Sequence, residues 1–274
     1  MKQFTNMVRV GAAVVAICAG NALFAEESSA INPKANSDWK CGWDGKGGKS
    51  LTADEADGAL ACKGSVVMFS NDAIKVDPDK NYKLTGEFKL APDSKPSKFY
   101  LGLMPLDDNG GKIDSASISI AKDTNTELAA DCHPEDTVVK IKNGEKWQLG
   151  QFYMVAFKTD DSGKNADLPN RELSGWNVVS VEKNGDVFDV TLKNKCGKEY
   201  PAGTKVREHR SGASFIYFVA NKDVPADWQE FSSTFTLAKC WPGTKSAKIV
   251  VLANYGGKPD QAMLLKNIKL EEVK

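Results

Sequence analysis

Residues 82–90 read Tyr82-Lys83-Leu84-Thr85-Gly86-Glu87-Phe88-Lys89-Leu90. Tyr82, Leu84, Phe88 and Leu90 fall on one face at period two. Lys83, Thr85, Glu87 and Lys89 fall on the other. Strict alternation of this kind belongs to a half-buried β-strand, not to a helix, whose apolar positions recur every three to four residues.

Working outward, the same period recurs. In Val187–Leu192, Phe188, Val190 and Leu192 oppose Asp189 and Thr191. Four further runs are apolar on both faces and predict central strands: Phe99–Leu103, Phe152–Phe157, Phe215–Val219 and Ile249–Ala253. Turn residues separate them: Asp77-Pro78-Asp79, Asp107-Asp108-Asn109-Gly110-Gly111, Asn184-Gly185 and Gly256-Gly257. Asn-Gly between two strand runs predicts a tight hairpin. No stretch beyond the N-terminal 25 residues sustains an amphipathic helix. Many short strands at this spacing predict a β-sandwich or barrel.

The N-terminus is different. Lys2 and Arg9 precede a nearly uncharged run, Val10–Phe24, that ends in small residues at Ala25 and is followed by Glu26 and Glu27. This is the layout of a secretory signal peptide over 1–25. The run is shorter than the roughly 20 residues a membrane span needs, and no later stretch is long and apolar enough to span. The expected location is secreted, periplasmic or cell surface. Residues 26–40 read as a polar leader.

The 274-residue chain carries 36 Lys+Arg and 36 Asp+Glu. Removing 1–25 removes two basic and no acidic residues, so the remainder is mildly acidic. That balance speaks against nucleic acid as a partner, because phosphate binding relies on basic excess. Five cysteines remain: Cys41, Cys62, Cys132, Cys196 and Cys240. An exported chain predicts up to two disulfides and one odd thiol. Cys41–Cys62 is the best local pair, closing a loop that would contribute roughly 3 kcal/mol. Cys132–Cys196 is the second candidate.

Two patterns resemble known families. Val76-Asp77-Pro78 leading to Tyr82-Lys83-Leu84 gives V-x-P-x-x-x-Y-x-L. Trp228-Gln229-Glu230-Phe231 then Thr234-Phe235 gives W-x-x-F-x-x-x-F, and Lys248–Asn254 with Met263–Leu270 closes the set. This is similar to carbohydrate-binding modules of the family 4 and 9 type, which are galactose-binding-like jelly rolls. The resemblance covers about 41–129 and 211–274. It implies an all-β jelly-roll sandwich with Trp228 in the core. Where such modules carry acidic residues near a structural calcium, this chain reads Leu265-Lys266-Asn267-Ile268, so no cofactor is expected and calcium has no support there. The Asp107–Asp114 loop lacks the spacing of an EF-hand. Residues 130–210, with Val138–Ile141, Trp147–Phe152, Asn177–Val181, Val187–Leu192 and Pro201–Val206, resemble a small SH3-like barrel, expected as an insertion.

Glycan binding needs flat apolar surface for sugar CH faces and a few polar groups for hydroxyls. The aromatic candidates are Tyr100, Trp147, Trp176, Tyr217, Trp241 and Tyr255, each of which has core burial as its other reading. Tyr100 is out of phase with Phe99 and Leu101, so it faces the opposite side of the sheet. Arg207, His209 and Arg210 cluster in Arg207-Glu208-His209-Arg210, suited to an acidic sugar or an acid/base role; the other reading is a solvated strand end. Arg171-Glu172-Leu173 matches a three-residue fragment of jelly-roll polysaccharide lyases without their strand-borne His and Tyr motif. No G-x-S-x-G, H-E-x-x-H, P-loop or dinucleotide fingerprint is present; Gly45–Ser50 has the wrong spacing for a phosphate loop. The expected function is a secreted, non-catalytic carbohydrate-binding protein. The alternatives are a structural or adhesive envelope sandwich, and a lyase or glycosidase on a jelly roll.

Overall fold

The computed structural model describes residues 30–43, 51–54 and 58–274. The expected signal peptide, the start of the polar leader and the Gly45–Ser50 stretch lie outside them. Among the described residues no helix is long and apolar enough to cross a membrane.

Among the described residues eighteen strands follow one another: β1 Ala30–Ile31, β2 Trp39–Trp43, β3 Leu51–Asp54, β4 Ala59–Lys63, β5 Val66–Ser70, β6 Ile74–Lys75, β7 Asn81–Leu90, β8 Lys98–Leu106, β9 Thr126–Glu127, β10 Val138–Ile141, β11 Tyr153–Phe157, β12 Val178–Asn184, β13 Val187–Leu192, β14 Lys205–Arg210, β15 Ile216–Asp223, β16 Gln229–Thr236, β17 Ser246–Tyr255 and β18 Ala262–Val273. The described helical turns are short 3-10 segments.

One antiparallel sheet runs β16-β7-β18-β4-β3, with β1 added on β18; a second runs β15-β8-β17-β5-β2, with β6 added on β17. The chain passes from sheet to sheet between β1 and β2, β2 and β3, β4 and β5, β6 and β7, β7 and β8, β15 and β16, β16 and β17, and β17 and β18. Crossing between two facing antiparallel sheets in this way makes a jelly-roll sandwich. The inward residues of β7, namely Tyr82, Leu84 and Phe88, are buried as the alternation predicts. Phe88 stacks on Phe99 of the facing sheet at 4.0 Å, and Phe231 meets Phe99 edge-on at 5.0 Å. Rings buried this completely contribute about 2–3 kcal/mol each.

Between β8 and β15 the chain builds two three-stranded sheets, β10-β13-β12 and β11-β14-β9, around a separate core that includes Val139, Ile141, Trp147, Phe157, Val190 and Tyr200. Asn184-Gly185 makes the expected hairpin: β12 and β13 pair up to Asn184 opposite Val187, with Gly185 at positive φ.

Several expectations are corrected. The polar-leader reading of 26–40 is corrected in part, because β1 pairs with β18 and Ile31 and Trp39 are core residues. The inserted sheets begin before residue 130, since β9 pairs with β14. Phe215–Val219 lies at a sheet edge, because among the described residues β15 has β8 as its neighbour and no strand beyond it, so its outward side chains stay half exposed. Trp228 stands just before β16, half-buried under the Lys266 ammonium at 4.1 Å, outside the core that holds Phe235 and packs Phe231.

Among the described residues no disulfide is formed. Cys62 is buried in the sandwich core and Cys41 packs half-buried against it. Cys132 and Cys196 are buried together in the inserted core, and the Cys132 thiol donates to Cys196 Sγ at 2.8 Å. That bond holds the Cys132 proton, raising its pKa, and lowers that of Cys196. Oxidant treatment is expected to remove these two thiols first, mapped by alkylation and peptide mass spectrometry. Loss of Cys240 in their place would refute the pairing.

Candidate functional site

The outward face of the second sheet carries the aromatic cluster. Phe69, Val250, Gly102 and Tyr217 lie in one cross-strand row over β5, β17, β8 and β15. Tyr100 stands opposite Leu252. The Tyr100 ring lies 4.9 Å from Tyr217 and 5.1 Å from Tyr255. Tyr217 continues to Phe215 at 6.2 Å. Tyr255 is 52% exposed, and Tyr100 and Tyr217 are half-buried.

Gly102 is what lets the edge strand close over this face. A Cβ there would lie 2.0 Å from the Ile216 carbonyl oxygen. Without it β15 folds down, bulges between Tyr217 and Val219, and sets Tyr217 beside Tyr100. The polar fringe is sparse. The Tyr100 hydroxyl reaches Asn221 Oδ1 at 3.4 Å, and the Lys112 ammonium sits 4.8 Å from the Phe215 ring. Burial pushes the Tyr217 hydroxyl up to about 12, so it is a neutral donor and acceptor at any working pH.

Three of the six aromatic candidates therefore converge: Tyr100, Tyr217 and Tyr255. Trp147 does not. It is 7% exposed in the inserted core, where its indole N–H donates to the Thr124 carbonyl. Trp241 is half-buried in a turn and makes no ring contact with the tyrosines. Trp176 is 57% exposed on the inserted unit, lining a cavity with Arg171.

Arg207 and His209 are corrected as surface binders, since both are fully buried. The two point to one side of β14, and loops fold over them. The Arg207 guanidinium pairs with Asp167 at 2.7 Å and its Nε–H donates to His209 Nε2 at 2.9 Å. His209 Nδ1 contacts the Ala116 carbonyl at 2.7 Å. With Arg207 donating to Nε2, the proton must reside on Nδ1, so the imidazole is neutral. Burial, with the Arg207 charge helping, lowers its pKa to about 4. Glu208 points the other way, accepts the Gln148 N–H with both oxygens at 3.0 and 3.1 Å, and burial raises its carboxyl to about 7. Only Arg210, at the end of the strand, is exposed.

The Asp107 loop is a hairpin tip whose carboxylate serves its own chain. It accepts the Asn109 and Gly111 N–H groups and pairs with Arg171 at 2.6 Å. Asn267 sits in a bulge of β18 at positive φ, and its amide donates to Glu87.

No protein-family model matches the sequence, and no curated protein does. Among solved structures, the fold is similar to the CBM22-1 xylan-binding domain from Paenibacillus barcinonensis Xyn10C, at 10% identity and a TM-score of 0.35, covering 89% of this chain and 93% of that one. It is also similar to a substrate-bound double variant of the family 7 alginate lyase A1-II′, at 10% identity and a TM-score of 0.27, covering 82% and 81%. Both likenesses are weak. The sheet order above defines the fold.

Proposed function

We propose that this protein is an exported, non-catalytic glycan-binding protein, and that Tyr100, Tyr217 and Tyr255 form its sugar platform. The observation that carries the reading is their convergence: three rings within 5.1 Å of a neighbour on the solvent side of one rigid sheet. Flat rings beside a few fixed hydrogen-bonding groups suit the CH faces and hydroxyls of a sugar chain. Sites carried on strands also hold their geometry better than sites on loops. The division into a sandwich and a small-barrel passenger inserted between β8 and β15, and export through residues 1–25, belong to the same proposal.

The lyase alternative needs His209, an Arg and a Tyr in one open groove. His209 is buried with both ring nitrogens engaged, which favours binding over catalysis.

Calorimetric titration with neutral soluble polysaccharides tests the platform. Tyr100→Ala and Tyr217→Ala are each expected to weaken binding about tenfold, equal to about 1.4 kcal/mol. Trp147→Phe is expected to leave it unchanged. Binding that ignores both tyrosine variants, or no binding to any glycan, would sink the reading.

A further inference from the structure

Two cavities open where the inserted unit meets the sandwich. One, of about 560 Å³, is lined by Lys122, Gln148, Tyr153 and Arg210; the other, of about 380 Å³, by Lys112, Asn170, Arg171 and Trp176. Ser211 and Gly212 line both, so the two adjoin and make up the seam groove.

The groove is basic in a chain that is not. Its lining holds four cationic side chains against the single carboxylate of Asp114. Another cavity, of about 1240 Å³ at one end of the sandwich, holds Lys75, Lys80 and Lys245 against Asp77, Asp107, Asp108 and Glu272. Within the groove, Lys112 pairs with Asp114 and Arg171 with Asp107. The other two cations are available. Lys122 has only a 4.0 Å approach to Asp123, with both side chains mostly in water, where such a pair is worth little. Among the described residues Arg210 has no carboxylate partner. Its guanidinium lies 5.9 Å over the Tyr153 ring, and the Tyr153 hydroxyl donates to Gln148 Oε1. That bond leaves the Gln148 amide nitrogen as a donor beside Arg210. Glu208 is buried behind Gln148, largely neutral below pH 7.

Gly212 lies where the two cavities adjoin. It has no positive φ, and a Cβ there would meet nothing closer than Ser115 Oγ at 3.8 Å. A side chain can therefore be added there without strain, which makes the position a probe of the groove.

We propose that this groove binds an acidic polysaccharide, with its carboxylate or sulfate groups on Arg210 and Lys122 and a sugar ring against Trp176. Bidentate donation suits guanidinium to either anion, and the exposed indole supplies the apolar face. The proposal rests on the glycan reading for the class of ligand, but not on the tyrosine platform.

The test uses the full chain against polygalacturonate, dextran sulfate, neutral dextran and poly-glutamate, at low and high salt. Binding to polygalacturonate or dextran sulfate, and not to dextran, is expected at low salt and weakens at high salt. Arg210→Ala with Lys122→Ala is expected to weaken it tenfold or more. Gly212→Trp, which adds bulk where the two cavities adjoin and keeps every charge, is expected to do the same with an unchanged thermal midpoint. Tyr100→Ala with Tyr217→Ala is expected to leave it intact. No binding to either acidic polysaccharide, equal binding of poly-glutamate, or indifference to both groove variants would overturn the proposal. Neutral-glycan binding lost through the tyrosines alone would still leave the platform standing.

Discussion

Asp167→Ala is expected to cost about 3–5 kcal/mol of folding stability, read as a fall in the urea midpoint at pH 7. Its partner Arg207 is fully buried, and Asp167 itself is nearly so. Removing the carboxylate strands a guanidinium out of water, and an uncompensated buried charge is the costly case. The remaining Arg207 partners are weak substitutes: the Asp160 carbonyl and Asn165 Oδ1 at 3.3 Å, and an imidazole. Asp167 also accepts from Asn170 at 2.8 Å. The Asn170 backbone N–H in turn reaches the Ser117 carbonyl, while His209 holds Ala116. Ala116, Ser117 and Asn170 line the groove at the seam. The same variant is therefore expected to weaken acidic-polysaccharide binding through positioning alone. A compensating Arg207→Met in the Asp167→Leu background is expected to recover most of the stability, because an apolar pair buries no charge. If Asp167→Ala costs less than about 1 kcal/mol, the pair is not the strut described here.

This network shows where sequence reading stops. Arg207-Glu208-His209-Arg210 is four polar residues in a row, a pattern that reads as surface. What buries three of them is the folding of the 115–117 and 159–170 segments onto β14, contacts 40 to 90 residues away in sequence. Alternation still predicts that Arg207 and His209 share a side, and they do. Trp147 fails as a surface ring for the same reason, since the core that swallows it is assembled from distant strands. Phe215–Val219 looks central because apolar residues on both faces usually mean two covered faces. In this sandwich the strand is an edge, and its outward rings are part of the aromatic cluster.

Local alternation was informative where one strand settles the question. The phase of Tyr100 against Phe99 and Leu101 places its ring opposite the core. Tyr255 follows from its position just before Gly256-Gly257. The proximity of Tyr217 to both was not legible, because it depends on Gly102 admitting the backbone of a strand more than 110 residues away. The groove was the least legible feature. Lys122, Gln148, Tyr153 and Arg210 come from separate segments, and only Arg210 stood in a noticed cluster.

Glu208→Gln is expected to change how stability depends on pH. Glu208 has its folded pKa raised from 4.5 to about 7 by burial. Its contribution is fully present below pH 4.5 and is lost as pH rises to 7. His209 has its folded pKa lowered from 6.5 to about 4, by burial first and the Arg207 charge second. Its contribution is fully present above pH 6.5 and is lost as pH falls to 4. Between about pH 4.5 and 6.5, unfolding releases a proton from Glu208 and takes one up at His209, so the two slopes cancel. Glu208→Gln removes one slope and keeps the side-chain oxygen that accepts the Gln148 N–H. Stability of the variant relative to the parent is then expected to climb by about 1.4 kcal/mol per pH unit from 4.5 to 7, for a total of about 3.5 kcal/mol at most. The acidic groups nearby titrate lower, Asp160 and Glu127 at about 2, and are common to both proteins. Urea midpoints at pH 4.5, 5.5, 6.5 and 8 decide the matter. A difference between variant and parent that is constant across that range would mean Glu208 is ionised in the folded protein throughout, and that the strand buries a charge rather than a carboxylic acid.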